Sequence, residues 1–98
     1  MLSGDSKKIV NFATSSKYTG QMNDDNKFDG FGMYESAKGK YMGHWKNNLR
    51  HGYGTFTNPA GIVYKGNWVG DEKHGDGGET CLDGLKYVGQ YKNGEFDG

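Results

Sequence analysis

The sequence has few of the residues that build a thick apolar core or a disulfide framework. Apolar residues make up 33% of the 98-residue chain, and there is one cysteine, Cys81, and one proline, Pro59. A single cysteine excludes a disulfide within the chain, and it argues against a zinc site. So low an apolar content in so short a chain argues against a compact globular core. At most one domain is expected, and it has to bury its side chains in a thinner arrangement.

Excess charge of one sign and long apolar runs are also lacking. Lysine plus arginine and aspartate plus glutamate both total 12, so the formal net charge is zero. This balance argues against a polyanion-binding protein, and nucleic acid is therefore not an expected partner. No apolar run approaches the roughly 20 residues of a transmembrane helix, and Ile9-Val10 is too short for a signal-peptide core. We expect a soluble intracellular protein with no transmembrane segment.

Motifs that carry catalysis or metal binding are missing as well. His44 has no carboxylate or cysteine at ligand spacing, and His51 and His74 each precede a glycine in a turn-like context. Gly52-Tyr53-Gly54 is followed by neither Lys-Ser/Thr nor a helix, unlike a phosphate-binding loop. Asp24-Asp25-Asn26 lacks the ligand spacing and the final glutamate of a calcium loop. We predict no enzyme activity, no metal and no cofactor.

Glycine and aromatic residues are abundant, and they recur at a fixed spacing. The chain has 18 glycines, seven tyrosines, five phenylalanines and two tryptophans. Three columns keep a spacing of 23 residues (41−18 = 64−41 = 87−64): Tyr18, Tyr41, Tyr64 and Tyr87; Gly20, Gly43, Gly66 and Gly89; Met22, Trp45, Trp68 and Tyr91. A second track holds the glycine pairs Gly30/Gly32, Gly52/Gly54 and Gly75/Gly77. This is the pattern of a repeat protein.

Within a repeat the pattern is that of a β-hairpin. Tyr41, Gly43 and Trp45 alternate with a period of two, which is typical of one face of a strand. Gly52, Gly54 and Phe56 alternate in the same way after the polar stretch 46–50, which predicts a hairpin with a medium-length loop. The return strand of the third repeat is weakly marked, and the fourth repeat reaches Gly98 before a return strand can form. Because no helical period occurs, the chain is predicted to be all-β.

The motif resembles a known repeat family. Tyr-x-Gly-x-Trp, about five loop residues and then His-Gly-x-Gly is similar to the MORN repeat (membrane occupation and recognition nexus). The best copies are Tyr41–Gly54 and Tyr64–Gly77, and the resemblance runs from Tyr18 to Gly98. It implies an elongated, single-layer antiparallel sheet of tandem β-hairpins, with repeats at 18–40, 41–63, 64–86 and, incomplete, 87–98. A non-enzymatic scaffold in a cytoskeletal or ciliary assembly, such as a radial spoke, is implied as the function.

Residues 1–17 precede the first clear repeat and allow two interpretations. Shifting the repeat back by one period makes Lys8–Phe12 a degenerate return strand and Ala13–Ser16 its turn. An atypical repeat of this kind would cap the array. The alternative is a disordered leader, because chain termini often fray.

The two faces of the predicted sheet differ in chemistry. Glycines beside large rings are expected to give the rings room to lie flat over the backbone, which would form an aromatic groove. The candidate groove residues are Tyr18, Gly20, Tyr41, Gly43, Trp45, Gly52, Gly54, Phe56, Tyr64, Gly66, Trp68, Gly75, Gly77, Tyr87, Gly89 and Tyr91. Lys40, Lys65 and Lys86 lie on the opposite parity. They indicate a solvated face or a weak site for anionic lipid.

The predicted sheet also has an open edge. Without a return strand in the fourth repeat, the segment Tyr87, Val88, Gly89, Gln90 and Tyr91 would be unpaired, and such edges bind other chains. We therefore expect a protein that binds other proteins through its groove or this edge, in the cytoplasm, cytoskeleton or cilium. The alternative function is a module that tethers a partner to phosphoinositide-containing membranes. Binding of single-stranded nucleic acid by stacked rings is the least favoured possibility.

Overall fold

A computed structural model describes residues 8–11 and 15–97. These residues form one open antiparallel sheet of nine strands in chain order. The strands are β1 (Lys8–Asn11), β2 (Lys17–Met22), β3 (Phe28–Ser36), β4 (Gly39–Lys46), β5 (Leu49–Thr57), β6 (Val63–Val69), β7 (Glu72–Thr80), β8 (Lys86–Lys92) and β9 (Glu95–Phe96). The prediction of an all-β sheet of tandem hairpins is confirmed. The predicted residue Phe12 and the first half of the turn that follows it lie outside the described residues.

Each repeat forms one hairpin, and each hairpin pairs with the next. The hairpins are β2–β3, β4–β5, β6–β7 and β8–β9, while β1 pairs with β2 through Val10 and Tyr18. The principal extents of the molecule are 46 × 25 × 19 Å, so it is elongated. Since every described strand pairs only with its sequence neighbours, these residues form a single layer with no second layer on either side.

Three of the four hairpin turns are shorter than predicted, whereas residues 23–27 form the five-residue loop of the first hairpin. Asn47-Asn48, Gly70-Asp71 and Asn93-Gly94 are two-residue turns in which both residues have positive φ, as a type I′ turn requires. The prediction of a medium loop over 46–50 is therefore wrong. Asparagine tolerates this left-handed conformation better than most residues, so the chain reverses within two residues. As a consequence, Arg50 lies in strand β5 and not in a loop.

The tight turn also corrects the prediction for the fourth repeat. Because Asn93-Gly94 completes the reversal, residues remain for a return strand, and Glu95–Phe96 pairs with Tyr91 and Lys92. The backbone N–H of Asp97 donates to the carbonyl of Gln90 at 2.8 Å. The prediction that no return strand forms is wrong, and the outer edge of β8 is covered from Gln90 onward. Within the described part of the chain, nothing pairs with the outer side of residues 86–89.

The glycines of the repeat have two different structural roles. Seven of them lie opposite one another in a row across the sheet: Gly20, Gly32, Gly43, Gly54, Gly66, Gly77 and Gly89. A Cβ on Gly54 would lie 2.5 Å from Cε1 of Tyr41 and closer still to Cζ and the hydroxyl, so the ring occupies the space of a side chain. Gly52 differs: its φ is +84°, and a Cβ there would come no closer than 3.4 Å to His44. The expectation that Gly52 makes room for a ring is wrong, because its backbone conformation explains the glycine.

The buried residues form one aromatic cluster on a single face. Tyr18, Tyr41, Tyr64, Trp45, Trp68 and Tyr91 are each at most 8% exposed. The Tyr41 ring contacts Trp45 at a centroid distance of 5.0 Å and Trp68 of the next repeat at 5.4 Å, both edge to face. Such ring pairs contribute about 0.5–1.5 kcal/mol beyond the area they bury. The core is therefore a continuous layer of rings that connects successive repeats.

Candidate functional site

The aromatic face consists of a floor of buried rings between two rows of partly exposed side chains. We define the turn-side row as the residues that follow each hairpin turn, opposite the Met22, Trp45, Trp68 and Tyr91 column: Phe28, Arg50, Lys73 and Phe96. The far row contains the residues opposite the repeat tyrosines: Val10, Tyr34, Phe56 and Glu79. The turn-side row is charged only at Arg50 and Lys73, and the far row is charged only at Glu79.

The polar atoms of the floor are satisfied by the backbone, except for the buried hydroxyl of Tyr91. The hydroxyls of Tyr18, Tyr41 and Tyr64 donate to the carbonyl three residues further on, at 2.6, 2.9 and 2.9 Å. Trp45 Nε1 donates to the Gly32 carbonyl at 3.1 Å, and Trp68 repeats this contact with Gly54 at 3.4 Å. Burial raises the pKa of Tyr18 and of Tyr64 to about 12, so these phenols are neutral at ordinary pH. The floor therefore offers fixed, uncharged ring surfaces.

Arg50 lies on the aromatic face of the second repeat and is paired within the chain. Its guanidinium carbon is 4.3 Å from the centroid of the Trp68 ring, which is within cation–π range. Nε donates to Asp71 Oδ1 at 2.7 Å, and Nη2 donates to the Asp71 carbonyl at 2.9 Å. Asp71 belongs to the next hairpin turn, so this contact connects two repeats. The charge of Arg50 is thus balanced by its neighbour.

In the third repeat an ion pair extends from one row to the other. Lys73 Nζ of the turn-side row lies 2.8 Å from Glu79 Oε2 of the far row. The same Nζ lies 5.0 Å from the centroid of the Tyr64 ring. The two side chains are only 24% and 19% exposed. The equivalent positions of the second repeat hold Arg50 and Phe56, which cannot form such a pair.

An open groove covers the first two repeats. It has a volume of about 770 Å³, and its apolar lining includes Val10, Met22, Phe28, Tyr34, Trp45 and Phe56. Asn26, Ser36, Lys38, Asn48, Arg50 and Asp71 supply its polar lining. A second, smaller cavity of about 440 Å³ lies beside Glu79, Tyr91 and Phe96. The two cavities differ in chemistry, since the first is largely aromatic and the second has an acidic side.

The predicted groove residues have different roles in the structure. The tyrosines and tryptophans form the floor, with Tyr87 half-buried, and Phe56 belongs to the far row. The glycines of the row from Gly20 to Gly77 lie beneath the rings, whereas Gly52 and Gly75, with φ of +84° and +74°, have a backbone role.

Sequence reasoning missed the charged members of the groove, which are Arg50, Lys73 and Glu79, together with Asp71. Arg50 and Lys73 each lie two residues before a glycine of the repeat, Gly52 or Gly75, and so on the same face of the strand. Extending the period-two alternation by one step toward the N-terminus would place both on the aromatic face, whereas the expected five-residue loop excludes them from the sheet. Glu79 was interpreted as the decay of a return strand, although β7 is a full strand of nine residues.

The opposite face is less uniformly polar than predicted. Lys40, Lys65 and Lys86 are exposed there. Large apolar side chains are exposed on the same face, with Phe31 at 46% and Tyr53 at 56%. The lysines are therefore interspersed with apolar residues. A continuous cationic surface is not formed.

The fold and the face together define a β-hairpin repeat protein with an uncovered aromatic surface. The MORN repeat model matches four consecutive segments, residues 18–40, 41–63, 64–86 and 87–98. The chain therefore belongs to the MORN-repeat family, as the motif predicted. Comparison with curated proteins gives no significant match.

Family membership gives the general class of function. MORN repeats are modules of protein interaction or membrane association, and the family is generally non-enzymatic. Residues 8–11 and 15–97 contain no helix that is long and apolar enough to cross a membrane. In the same residues, no group of three His, Cys, Asp or Glu side chains is placed to hold a metal ion.

Proposed function

We propose that this chain is a non-enzymatic scaffold subunit that holds a segment of another protein on its aromatic face. The observation that carries the proposal is the open groove of about 770 Å³ over the first two repeats. This volume falls in the range of about 300–1,000 Å³ that is typical of ligand pockets. A single-layer sheet leaves the partly exposed rings of Phe28, Tyr34 and Phe56 without a cover, and a docked segment would remove them from water.

The groove is also rigid, which favours binding. Its floor rings are held by hydrogen bonds to the backbone and by edge-to-face contacts, such as that of Tyr41 with Trp45. A preorganised surface loses little conformational entropy when a partner docks. Aromatic and arginine side chains are the residue types that most often dominate binding energy at interfaces. The lining therefore suits recognition of a protein segment.

The setting we propose is a cytoskeletal or ciliary assembly, with a radial spoke as one example. The support for this setting is family membership, because MORN proteins often serve in such assemblies. Imaging the tagged chain in ciliated cells tests it. Colocalisation with axonemal or other cytoskeletal markers is expected, and a distribution that overlaps with none of these markers would contradict the proposed setting.

Co-purification from cells tests the protein-binding function itself. The full chain is compared with Phe56→Ser in the groove and Phe31→Ser on the opposite face, where Phe31 is 46% exposed. Partners should be retained by Phe31→Ser and lost by Phe56→Ser, with circular dichroism confirming that both variants fold. Partners that depend on Phe31 but not on Phe56 would show that the wrong face has been assigned.

The second candidate function is attachment to anionic membranes. The observation that favours it is the exposure of Lys40, Lys65 and Lys86 on the face opposite the groove. The zero net charge argues against it. Sedimentation with vesicles that contain or lack phosphoinositides separates the two functions. Lipid-dependent pelleting that a Lys40→Glu/Lys65→Glu variant abolishes would favour the membrane function over the scaffold.

A further inference from the structure

The third repeat, beyond the open groove, differs in charge from the repeats before it. Equivalent positions of the turn-side row are Phe28, Arg50 and Lys73 in successive repeats. The far row changes from Phe56 to Glu79 over the same interval. Only in the third repeat do both rows carry charges, and these are of opposite sign. The groove therefore has a chemical boundary between its second and third repeats.

The Lys73–Glu79 ion pair makes this boundary costly to cross. Its atoms lie 2.8 Å apart above the Tyr64 ring, and both side chains are largely removed from solvent. A docked segment that continued over the third repeat would have to break the pair or strip its remaining water. Leaving one member of a buried pair uncompensated is strongly destabilising. An apolar segment is consequently favoured only over the first two repeats.

The open groove also has an unbalanced positive charge. Arg50 is neutralised by Asp71, and both line the groove. Lys38, in the turn between β3 and β4, lines the same groove and is exposed. The ion pairs among the described residues join Lys17 to Glu35, Arg50 to Asp71 and Lys73 to Glu79, and none includes Lys38. A carboxylate on the occupant would complement this charge.

We infer that the Lys73–Glu79 pair ends the binding groove, and that the occupant is an apolar protein segment with a carboxylate that meets Lys38. This inference rests on the proposed protein-binding function. The groove lining runs from Val10 in β1 to Asp71 in the turn between β6 and β7, and the five strand spacings between them amount to about 24 Å. An occupant that binds as a helix needs about 16 residues to cover this distance. The occupant is therefore short, and acidic at one position.

Selection from a random peptide library tests the inference on the full chain. The library holds peptides of about 16 residues, the helical length derived above. Enriched peptides should combine apolar residues with an aspartate or glutamate. Lys38→Glu should weaken their binding about threefold or more, as expected for one partly exposed charge pair. Lys40→Glu is the matched control, since Lys40 is exposed on the opposite face, and it should leave binding unchanged.

Two variants, one single and one double, exchange the residue types of the second and third repeats. Phe56→Glu places a carboxylate across from Arg50, as Glu79 lies across from Lys73, and should weaken binding about tenfold or more by closing the groove. The third repeat shows that this position accepts a glutamate within the fold. Conversely, Lys73→Phe with Glu79→Phe gives the third repeat the residue types of Phe28 and Phe56 and should lengthen the groove.

Chemical-shift mapping with a selected peptide measures the length of the groove. In the unmodified chain, shifts should be confined to β1–β6, and in the double phenylalanine variant they should extend to β8. Shifts that reach β8 in the unmodified chain, or peptides without acidic residues, would overturn this inference and leave the protein-binding function standing. Self-association that Phe56→Glu abolishes would overturn it too, since the occupant would then be a second copy. If no peptide depends on Phe56, the protein-binding function itself fails.

Discussion

The row of seven glycines makes a prediction that runs against strand propensity. Alanine is preferred to glycine in a strand by about 0.5–1 kcal/mol, so Gly54→Ala would be expected to stabilise on that ground alone. The structure predicts the reverse. The new Cβ would lie 2.5 Å from Tyr41 Cε1, whereas carbon atoms pack at about 3.5–4.0 Å. The Tyr41 ring therefore has to move by about 1 Å or more.

The ring is not free to move without loss. Its hydroxyl donates to the His44 carbonyl at 2.9 Å, and it packs between Trp45 and Trp68. Overpacking costs about 1–3 kcal/mol, and losing the hydrogen bond costs about 1 kcal/mol. After subtraction of the propensity gain, Gly54→Ala should destabilise the fold by about 1–3.5 kcal/mol. Urea unfolding followed by fluorescence measures this free energy.

A double-mutant cycle with Tyr41→Ala identifies the cause. Without the Tyr41 ring the new Cβ has no steric clash, so Gly54→Ala should then be neutral or slightly stabilising. Gly75→Ala is the matched control, because Gly75 has open space around its missing Cβ but a φ of +74°. Its cost of about 1–2 kcal/mol should be the same with and without Tyr41. An equal penalty for Gly54→Ala in both backgrounds would refute the claim that the ring requires the glycine.

Three further predictions follow from the core, the turns and the tyrosines. Trp45→Ala should cost about 3–5 kcal/mol and Lys46→Ala less than about 0.5 kcal/mol in thermal melts, and similar effects would contradict the assignment of the ring layer as the core. Asn48→Ala should cost about 1–2 kcal/mol and Asn48→Gly less, since Asn48 has a φ of +73° and its Oδ1 also accepts from the Phe28 N–H at 2.8 Å. Burial raises the pKa of Tyr18 and Tyr64 to about 12, above the unfolded value near 10. Folding stability should therefore be complete below pH 10 and fall as the pH rises toward 12, whereas NMR signals of Tyr18 and Tyr64 that titrate near pH 10 without unfolding would contradict this.

Much of the architecture follows from local features of the chain. The 23-residue spacing of Tyr18, Tyr41, Tyr64 and Tyr87 shows a repeat, and the period-two alternation within each copy shows strands. Family membership rests on the same residues, because the repeat motif is a property of sequence. The composition of the ring layer could be predicted for the same reason. Each of these conclusions depends on residues that lie close together in the chain and needs no knowledge of the pairing partner.

Only the tertiary structure decided where the strands reverse and which side chains face one another. A two-residue turn at Asn47-Asn48 and a five-residue loop are compatible with the same alternation, yet they differ in whether Arg50 belongs to the sheet. The role of each glycine also depends on its position, since Gly54 lies under a ring and Gly52 needs a positive φ. The Lys73–Glu79 pair joins residues near opposite ends of the same strand, and the Lys73 ammonium of this pair lies over the Tyr64 ring. Register and side-chain packing set the limits of the groove, and neither is a local property of the sequence.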